Sequence, residues 1–333
     1  MSPQRALIIG ATGFVGGHLV ELLAKKHPEM RLLCLTRDAT PAKIEGLKSL
    51  NSHVDVLEGT LEDSELISQA AEKVDIVIHV AHSDHVPSVQ AVLTGLKRQV
   101  ATGSRKPPLY LHMSGCGVIA DNVFGERVEH PKEWTDVGFR LDEHGDHRIL
   151  EAGTESEGRI RTSILFPGLI YGIGKTRRSS AWVPLYSNLA KAAGHADTRG
   201  PGEVSQYCIH VQDVALAVVC VLDALLEGKI RGGEDGLFFV TSQEPTISWS
   251  EINSVLGDIM YSKGLVKMSG AKPFPESITE PLGHCKVTRE NVVRDVTVMR
   301  ELIACGNWGG TQNGARESLC RSVVKEMLEI AMP

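Results

Sequence analysis

Residues 6–17, ALIIGATGFVGG, place the spacing Gly10-x-x-Gly13-x-x-Gly16 directly behind the apolar run Ala6-Leu7-Ile8-Ile9. Phe14, Val15, Leu19, Leu22 and Leu23 then follow in a helical apolar pattern. A strand that breaks at glycine and re-enters a helix leaves backbone N–H groups pointing out of the turn, at the positive end of the helix dipole. That is a binding site for a pyrophosphate. Gly10 permits the tight turn, Gly13 lets the backbone approach the phosphates, and Gly16 lets helix and strand pack closely. Thr12, Phe14 and Val15 complete the candidate cradle. The bland alternative is a glycine-rich turn with no ligand, but a position between a clear strand and a clear helix is the context this motif requires.

A second stretch rich in titratable groups is Asp142-Glu143-His144-Gly145-Asp146-His147. At a helix start, Glu143 and His147 share one face, and histidine titrates near neutral pH without special tuning. The plainer reading is a solvated loop and helix start, because Asp, Gly and Glu commonly open helices. The stretch lacks a His-x-x-x-His facing pair, so no metal site is expected. His82 and His85 follow an apolar strand and are further candidates. Trp182, Tyr186 and the basic run Lys175–Arg178 suit a small anionic or aromatic substrate, or else form a solvated basic loop.

These residues need elements to hold them. Strand candidates besides the first are Leu32–Leu35, Val54–Leu57, Val74–Val80, Leu109–Met113 and Thr162–Phe166, with helices over about 14–26, 62–72, 86–102 and 147–156. Short apolar strands alternating with amphipathic helices predict an α/β fold with a parallel sheet covered on both faces. Beyond Phe166, Gly172, Gly174, Gly194 and Gly200-Pro201-Gly202 suggest loops over a cleft. The sheet is expected to resume at Tyr207–Val211, followed by a helix over Val214–Leu226 and a strand at Leu237–Thr241. Ser248-Trp249-Ser250-Glu251 reads as a capping box opening a helix to about Tyr261, and a further helix is expected from about Arg316 to Ile330.

The 333 residues are 42% hydrophobic and 23% charged, with a net charge of -6. That describes a globular protein with ample core and gives no reason to expect nucleic acid or an anionic membrane as partner. The first strand starts within six residues of Met1 and no apolar run approaches a bilayer span. The seven cysteines form no Cys-x-x-Cys pair, and Cys34 and Cys220 lie in apolar runs. A reducing, cytoplasmic setting is expected.

Several pieces together resemble an extended short-chain dehydrogenase/reductase of the NAD-dependent epimerase/dehydratase group, its atypical members included. Gly10–Gly16 resembles the cofactor turn, and Asp75-Ile76-Val77-Ile78-His79-Val80-Ala81 the fourth strand, which puts Ala81 and His82 under the cofactor. Leu109–Ser114 resembles the fifth strand, which ends in the catalytic serine or threonine. Phe166-Pro167-Gly168-Leu169-Ile170-Tyr171-Gly172 is similar to the segment beside the nicotinamide, with Phe166 in place of arginine. Tyr207–Ala215 is similar to the start of the seventh helix, and Gly306-Asn307-Trp308 more weakly to a C-terminal Leu-Gly-Trp. The resemblance implies a Rossmann-type doubly wound sheet with a smaller, mostly C-terminal substrate-binding region. The dinucleotide domain would take residues 1–172 and 203–242, and the substrate region 173–202 and 243–333.

In such folds the second strand's end selects the cofactor. Leu35-Thr36-Arg37-Asp38 puts Arg37 where a guanidinium pairs with a 2′-phosphate, which favours NADP(H); NAD(H) is the alternative if Asp38 holds the ribose. Gly59-Thr60-Leu61 stands where an aspartate usually meets the adenine, so Thr60 and the Leu61 backbone are the candidates there.

The family's Tyr-x-x-x-Lys pair is missing, because no tyrosine lies between Leu111 and Ile170. Counting back from Glu151 puts His147 at the lysine position and Glu143 at the tyrosine position. Ser114, Glu143 and His147 are therefore the candidate acid–base groups of an NADP(H)-linked oxidoreductase or epimerase/dehydratase-type enzyme. The missing pair equally fits a dinucleotide sensor or scaffold, or a redox-neutral isomerase or cyclase. The expected partner is a small-molecule substrate, with a homodimer as the candidate assembly.

Overall fold

The computed structural model describes residues 3–50, 53–103, 106–119, 126–130, 132–136, 139–141, 146–180, 182–198, 200–241, 246–275, 278 and 292–295. Strand and helix alternate through the first half: β1 Arg5–Ile9, α1 Gly16–Lys26, β2 Arg31–Thr36, α2 Pro41–Lys48, β3 Val54–Glu58, α3 Ser64–Glu72, β4 Ile76–His79 and α4 Val86–Ala101. They are followed by β5 Leu109–Met113, β6 Glu133–Thr135, α5 His147–Glu155, β7 Arg161–Pro167 and β8 Leu169–Tyr171. The remainder comprises α6 Trp182–Ala193, β9 Ser205–Gln206, β10 Cys208–His210, α7 Val211–Leu226, β11 Leu237–Val240, β12 Ile247–Ser248, α8 Trp249–Ser262 and β13 Val292–Asp295.

Seven strands form one sheet in the order β11-β7-β5-β4-β1-β2-β3. Every pairing in it is parallel. Strand order reverses at β1, whose neighbours are β2 on one side and β4 on the other. This is the doubly wound Rossmann arrangement, and the switch point opens its crevice at the carboxyl ends of β1 and β4. Ala6 to Ile9, Ile76 to His79 and Leu109 to His112 are buried throughout, as expected of strands covered on both faces. α7 is apolar on most of its surface because it lies within the main core, and His27, just past α1, reaches Asp223 of α7 at 2.7 Å. A second, smaller core gathers Tyr186 and Ala190 of α6 with Val204, Cys208, Ile247, Trp249, Ile252, Leu256 and Met260.

Three local expectations are corrected. The main sheet does not resume at Tyr207–Val211. β10 instead pairs with β8 in a separate two-stranded sheet, and β11 completes the main sheet against β7. The chain leaves the sheet at Gly168, where a Cβ would stand 2.5 Å from the Tyr207 carbonyl oxygen, so only glycine allows the two backbones to meet. The stretch read as loops contains α6, whose Val183, Tyr186, Ser187 and Ala190 are buried. α2 was not expected; it buries only Leu47, so it left no periodic signal, yet Thr40 caps it and Pro41 opens it. The capping box at Ser248 and Glu251 is present at the start of α8. Residues 306–308 and 316–330 lie outside the described residues. No helix among the described residues is long and apolar enough to cross a membrane.

Candidate active site

The glycine turn closes on itself through Gly13 N–H donating to the Gly10 carbonyl at 2.8 Å. Gly10 has φ +96°, and a Cβ there would lie 2.9 Å from the Ala81 nitrogen at the end of β4. A Cβ on Gly16 would stand 1.9 Å from the Gly10 oxygen. These two glycines therefore clamp β1, the β4 terminus and α1 together. No side chain caps the N-terminus of α1, and no acidic residue lies in its first turn. An uncapped helix start without a carboxylate leaves the positive end of the dipole available to an anion. Thr12, Gly13 and Phe14 are partly exposed there, whereas Val15 is buried.

At the end of β2, Thr36 is buried and Arg37 and Asp38 are exposed. The Lys43 ammonium donates to the Arg37 carbonyl at 3.1 Å, bringing a second cation to this edge. The Thr60 N–H and hydroxyl both donate to one oxygen of Asp63, at 2.6 and 2.9 Å. These bonds hold the Asp63 carboxyl below its usual range. Leu61 packs against the main core. A carboxylate therefore does stand beside Thr60, three residues later than the family pattern puts it.

His82 is exposed, and its Nδ1 accepts from the Asp84 N–H at 3.2 Å. His85 caps α4 by accepting from the Ser88 N–H and meets Glu62 at 2.9 Å. Pro167 is buried at the end of β7, and Ile170 of β8 is the register partner of Ile209 in β10.

Residues 173–178 strap across the start of α1. His18 Nε2 meets the Ile173 carbonyl at 2.9 Å, and the Thr176 hydroxyl donates to the Gly13 carbonyl at 3.0 Å. Lys175 makes a short ion pair with Glu21, which also accepts from Lys25 at 2.8 Å; the two ammonium groups hold the Glu21 carboxyl below its usual range. Lys175 is thus engaged in tying the strap down. Tyr186 is buried and Trp182 is half-buried. Their rings join Trp249 in the second core, with Tyr186 and Trp249 centroids 5.3 Å apart.

Ser114 lies just past β5, its N–H donating to the Leu165 carbonyl at 2.9 Å. Its hydroxyl donates to Asp146 in a very short hydrogen bond. His147 opens α5, is 42% exposed and meets Glu151 at 3.2 Å on the outer side. Glu143 lies outside the described residues. Of the described residues Asp146 and His147, the group brought to Ser114 is Asp146. Behind it His112 Nε2 stands 3.5 Å from Asp146, and Tyr110 Oη is 3.1 Å from His112 Nδ1. His112 is fully buried, and burial followed by the neighbouring His79 drives its pKa well below the ordinary histidine value. The imidazole is therefore neutral. The alternation of β5 could have flagged this group, since Tyr110 and His112 are polar residues two apart on one face of a central strand.

The chain matches the 3-beta hydroxysteroid dehydrogenase/isomerase family over residues 7–267 and belongs to it. Among curated relatives, it is 29% identical to oxidase ucsJ of an Acremonium species, covering 79% of this chain and 81% of that protein. It is 24% identical to sterol-4-alpha-carboxylate 3-dehydrogenase ERG26 (decarboxylating) of Candida albicans, covering 91% of this chain and 89% of that one. Among solved structures, the dTDP-glucose 4,6-dehydratase DesIV of Streptomyces venezuelae, solved as a double mutant with NAD bound, is similar in fold. It has a TM-score of 0.64 at 19% identity and covers 98% of this chain and 97% of its own.

Proposed function

We propose that this protein is an NADP(H)-linked oxidoreductase or epimerase/dehydratase-type enzyme acting on a small organic substrate, with an acid–base group that differs from the family's tyrosine and lysine. The observation that carries this reading is the uncapped, acid-free start of α1 at the switch point of the sheet, with Ser114 at the end of β5 beyond it. A pyrophosphate fits the first, and the second follows β5, the strand that ends in the catalytic serine or threonine in the family this chain resembles, although alignment through Val118 puts that position at Gly115. Kinship to a chain named as a sterol 3-dehydrogenase supports redox chemistry at a carbinol or carbonyl carbon.

Preference for NADP(H) rests on Arg37, reinforced by Lys43 at the same edge. A 2′-phosphate would gain a charge-assisted contact there. The carboxylates at the same edge are Asp38, on a left-handed residue with φ +48°, and Glu58, which accepts from the Ala39 N–H at 3.1 Å. Calorimetric titration of NADPH and NADH tests this. Arg37→Ala should weaken NADPH by roughly ten- to a hundredfold and leave NADH nearly unchanged, the loss of one hydrogen-bonded charge pair. Equal affinity of the wild type for both cofactors contradicts the preference, and no binding of either contradicts the function.

A second reading, a dinucleotide-binding sensor, draws on the missing tyrosine–lysine pair. Transfer of deuterium from C4-labelled NADPH into a product separates the two.

A further inference from the structure

We propose that Asp146 takes and returns the proton in this site through the Ser114 hydroxyl, and that His112 and Tyr110 hold Asp146 for that work. The proposal rests on the oxidoreductase reading above and names its missing acid–base group.

Asp146 stands at the N-cap of α5, where an aspartate ordinarily accepts a backbone N–H from the first turn. No such cap bond forms. Instead the carboxylate receives the Ser114 hydroxyl on Oδ2 and faces His112 Nε2 with Oδ1. It is 8% exposed, so its protein partners outweigh water in setting its behaviour.

The protons on the chain behind it follow from the geometry. His112 has no room for a charge, so one ring nitrogen carries hydrogen and the other does not. If Nδ1 carried it, the lone pair of Nε2 would face a carboxylate oxygen. The stable arrangement has Tyr110 O–H donating to Nδ1 and Nε2–H directed at Asp146. His112 Nε2 is fully buried and makes no full hydrogen bond among the described residues, so its N–H is held in reserve toward Asp146.

In the oxidising direction the substrate carbinol O–H gives its proton to Ser114 Oγ while the Ser114 proton passes to Asp146. A bound oxidised dinucleotide would supply the hydride acceptor, taking the carbinol hydrogen with its electron pair as the C–O single bond becomes a carbonyl. In reduction the hydride returns to carbon, Ser114 protonates the oxygen, and Asp146 restores the serine proton and ends as carboxylate. His112 donates no proton; it is a positioning residue.

The test uses the full chain, with 9,10-phenanthrenequinone, a ketone and an aldehyde as reducible probes and NADPH as donor. Asp146→Asn keeps the shape and an acceptor for Ser114 but cannot carry the proton. It should lower kcat by about 10²–10⁴-fold, the usual contribution of a general acid or base, with KM for NADPH unchanged. Ser114→Ala, a small change at the strand end, should lower kcat similarly and keep the proposal testable if Asp146→Asn misfolds. His112→Gln should lower kcat less, and His112→Asn, whose shorter amide does not reach, should not recover it. Asp146→Asn or Ser114→Ala retaining kcat within threefold, or a loss appearing only in KM, overturns the proposal. So does a wild type that binds NADPH and reduces none of the probes. Failure of the wild type to bind NADPH sinks the oxidoreductase reading itself, which calorimetry shows separately.

Discussion

His79 and His112 are register partners on adjacent parallel strands, both fully buried, with ring centroids 5.1 Å apart. Burial, offset in part by its own backbone and assisted by His85 and His82, takes the His79 pKa down to about 4. His79 Nε2 donates to Ser88 Oγ at 3.0 Å, because the Ser88 hydroxyl is itself given to the His85 carbonyl. Two neutral imidazoles therefore sit beneath the candidate active site.

Acid should unfold this protein for that reason. An unfolded histidine protonates below about pH 6.5, whereas folded His79 resists to about 4, so unfolding takes up protons in between. Stability is full above pH 6.5 and falls by about 1.4 kcal/mol per pH unit from His79 alone, about 3 kcal/mol by pH 4. Urea unfolding at stepped pH measures it. His79→Gln, which keeps a donor for Ser88, should flatten the slope by one proton; an unchanged slope contradicts the assignment.

Gly16→Ala should be poorly tolerated. The added methyl would overlap the Gly10 oxygen and push α1 off the strand. Overpacking of this kind costs about 1–3 kcal/mol, and displacement of the helix start should also abolish dinucleotide binding. A variant melting and binding like the wild type would show that the clamp is dispensable.

The strap over α1 should respond to the cofactor. Trypsin should cut at Arg177 or Arg178, which are exposed, and NADPH should slow the cut by stabilising the closed strap. Glu21→Gln removes the carboxylate that holds Lys175 and should speed cleavage without cofactor. Cleavage indifferent to both changes would mean the strap does not sense the turn.

Ser248→Ala should destabilise by about 1 kcal/mol, the usual worth of a capping hydrogen bond. Ser248 accepts from the Glu251 N–H at 3.2 Å, while the Glu251 carboxylate takes the Ser248 N–H at 2.8 Å. Thermal melts measure the shift.

The order of strands and helices was legible because parallel strands buried on both faces read as short apolar runs, and Gly10 to Gly16 sat between two of them. What escaped had a physical cause. α6 lies among glycines that read as loop, although its buried positions recur at helical spacing. β10 carries strand-like residues, and only the close approach at Gly168 decides that it leaves the main sheet. The site was half legible. Ser114 is a candidate by resemblance, but counting residues cannot tell how a helix start orients Asp146 and His147; here Asp146 turns to the serine and His147 to Glu151. Aromatic residues near a basic loop look alike in sequence whether they face a ligand or pack against a second core, as Tyr186 and, in part, Trp182 do.

The most direct measurement is a crystal structure of the protein with NADP⁺ bound. The account predicts the pyrophosphate against the backbone of residues 12–16, the adenosine 2′-phosphate at Arg37, and nicotinamide C4 on the side of the cleft where the Ser114 hydroxyl, still bonded to Asp146, meets a substrate oxygen. A pyrophosphate lying elsewhere, or a nicotinamide with Ser114 and Asp146 turned away from it, would contradict it.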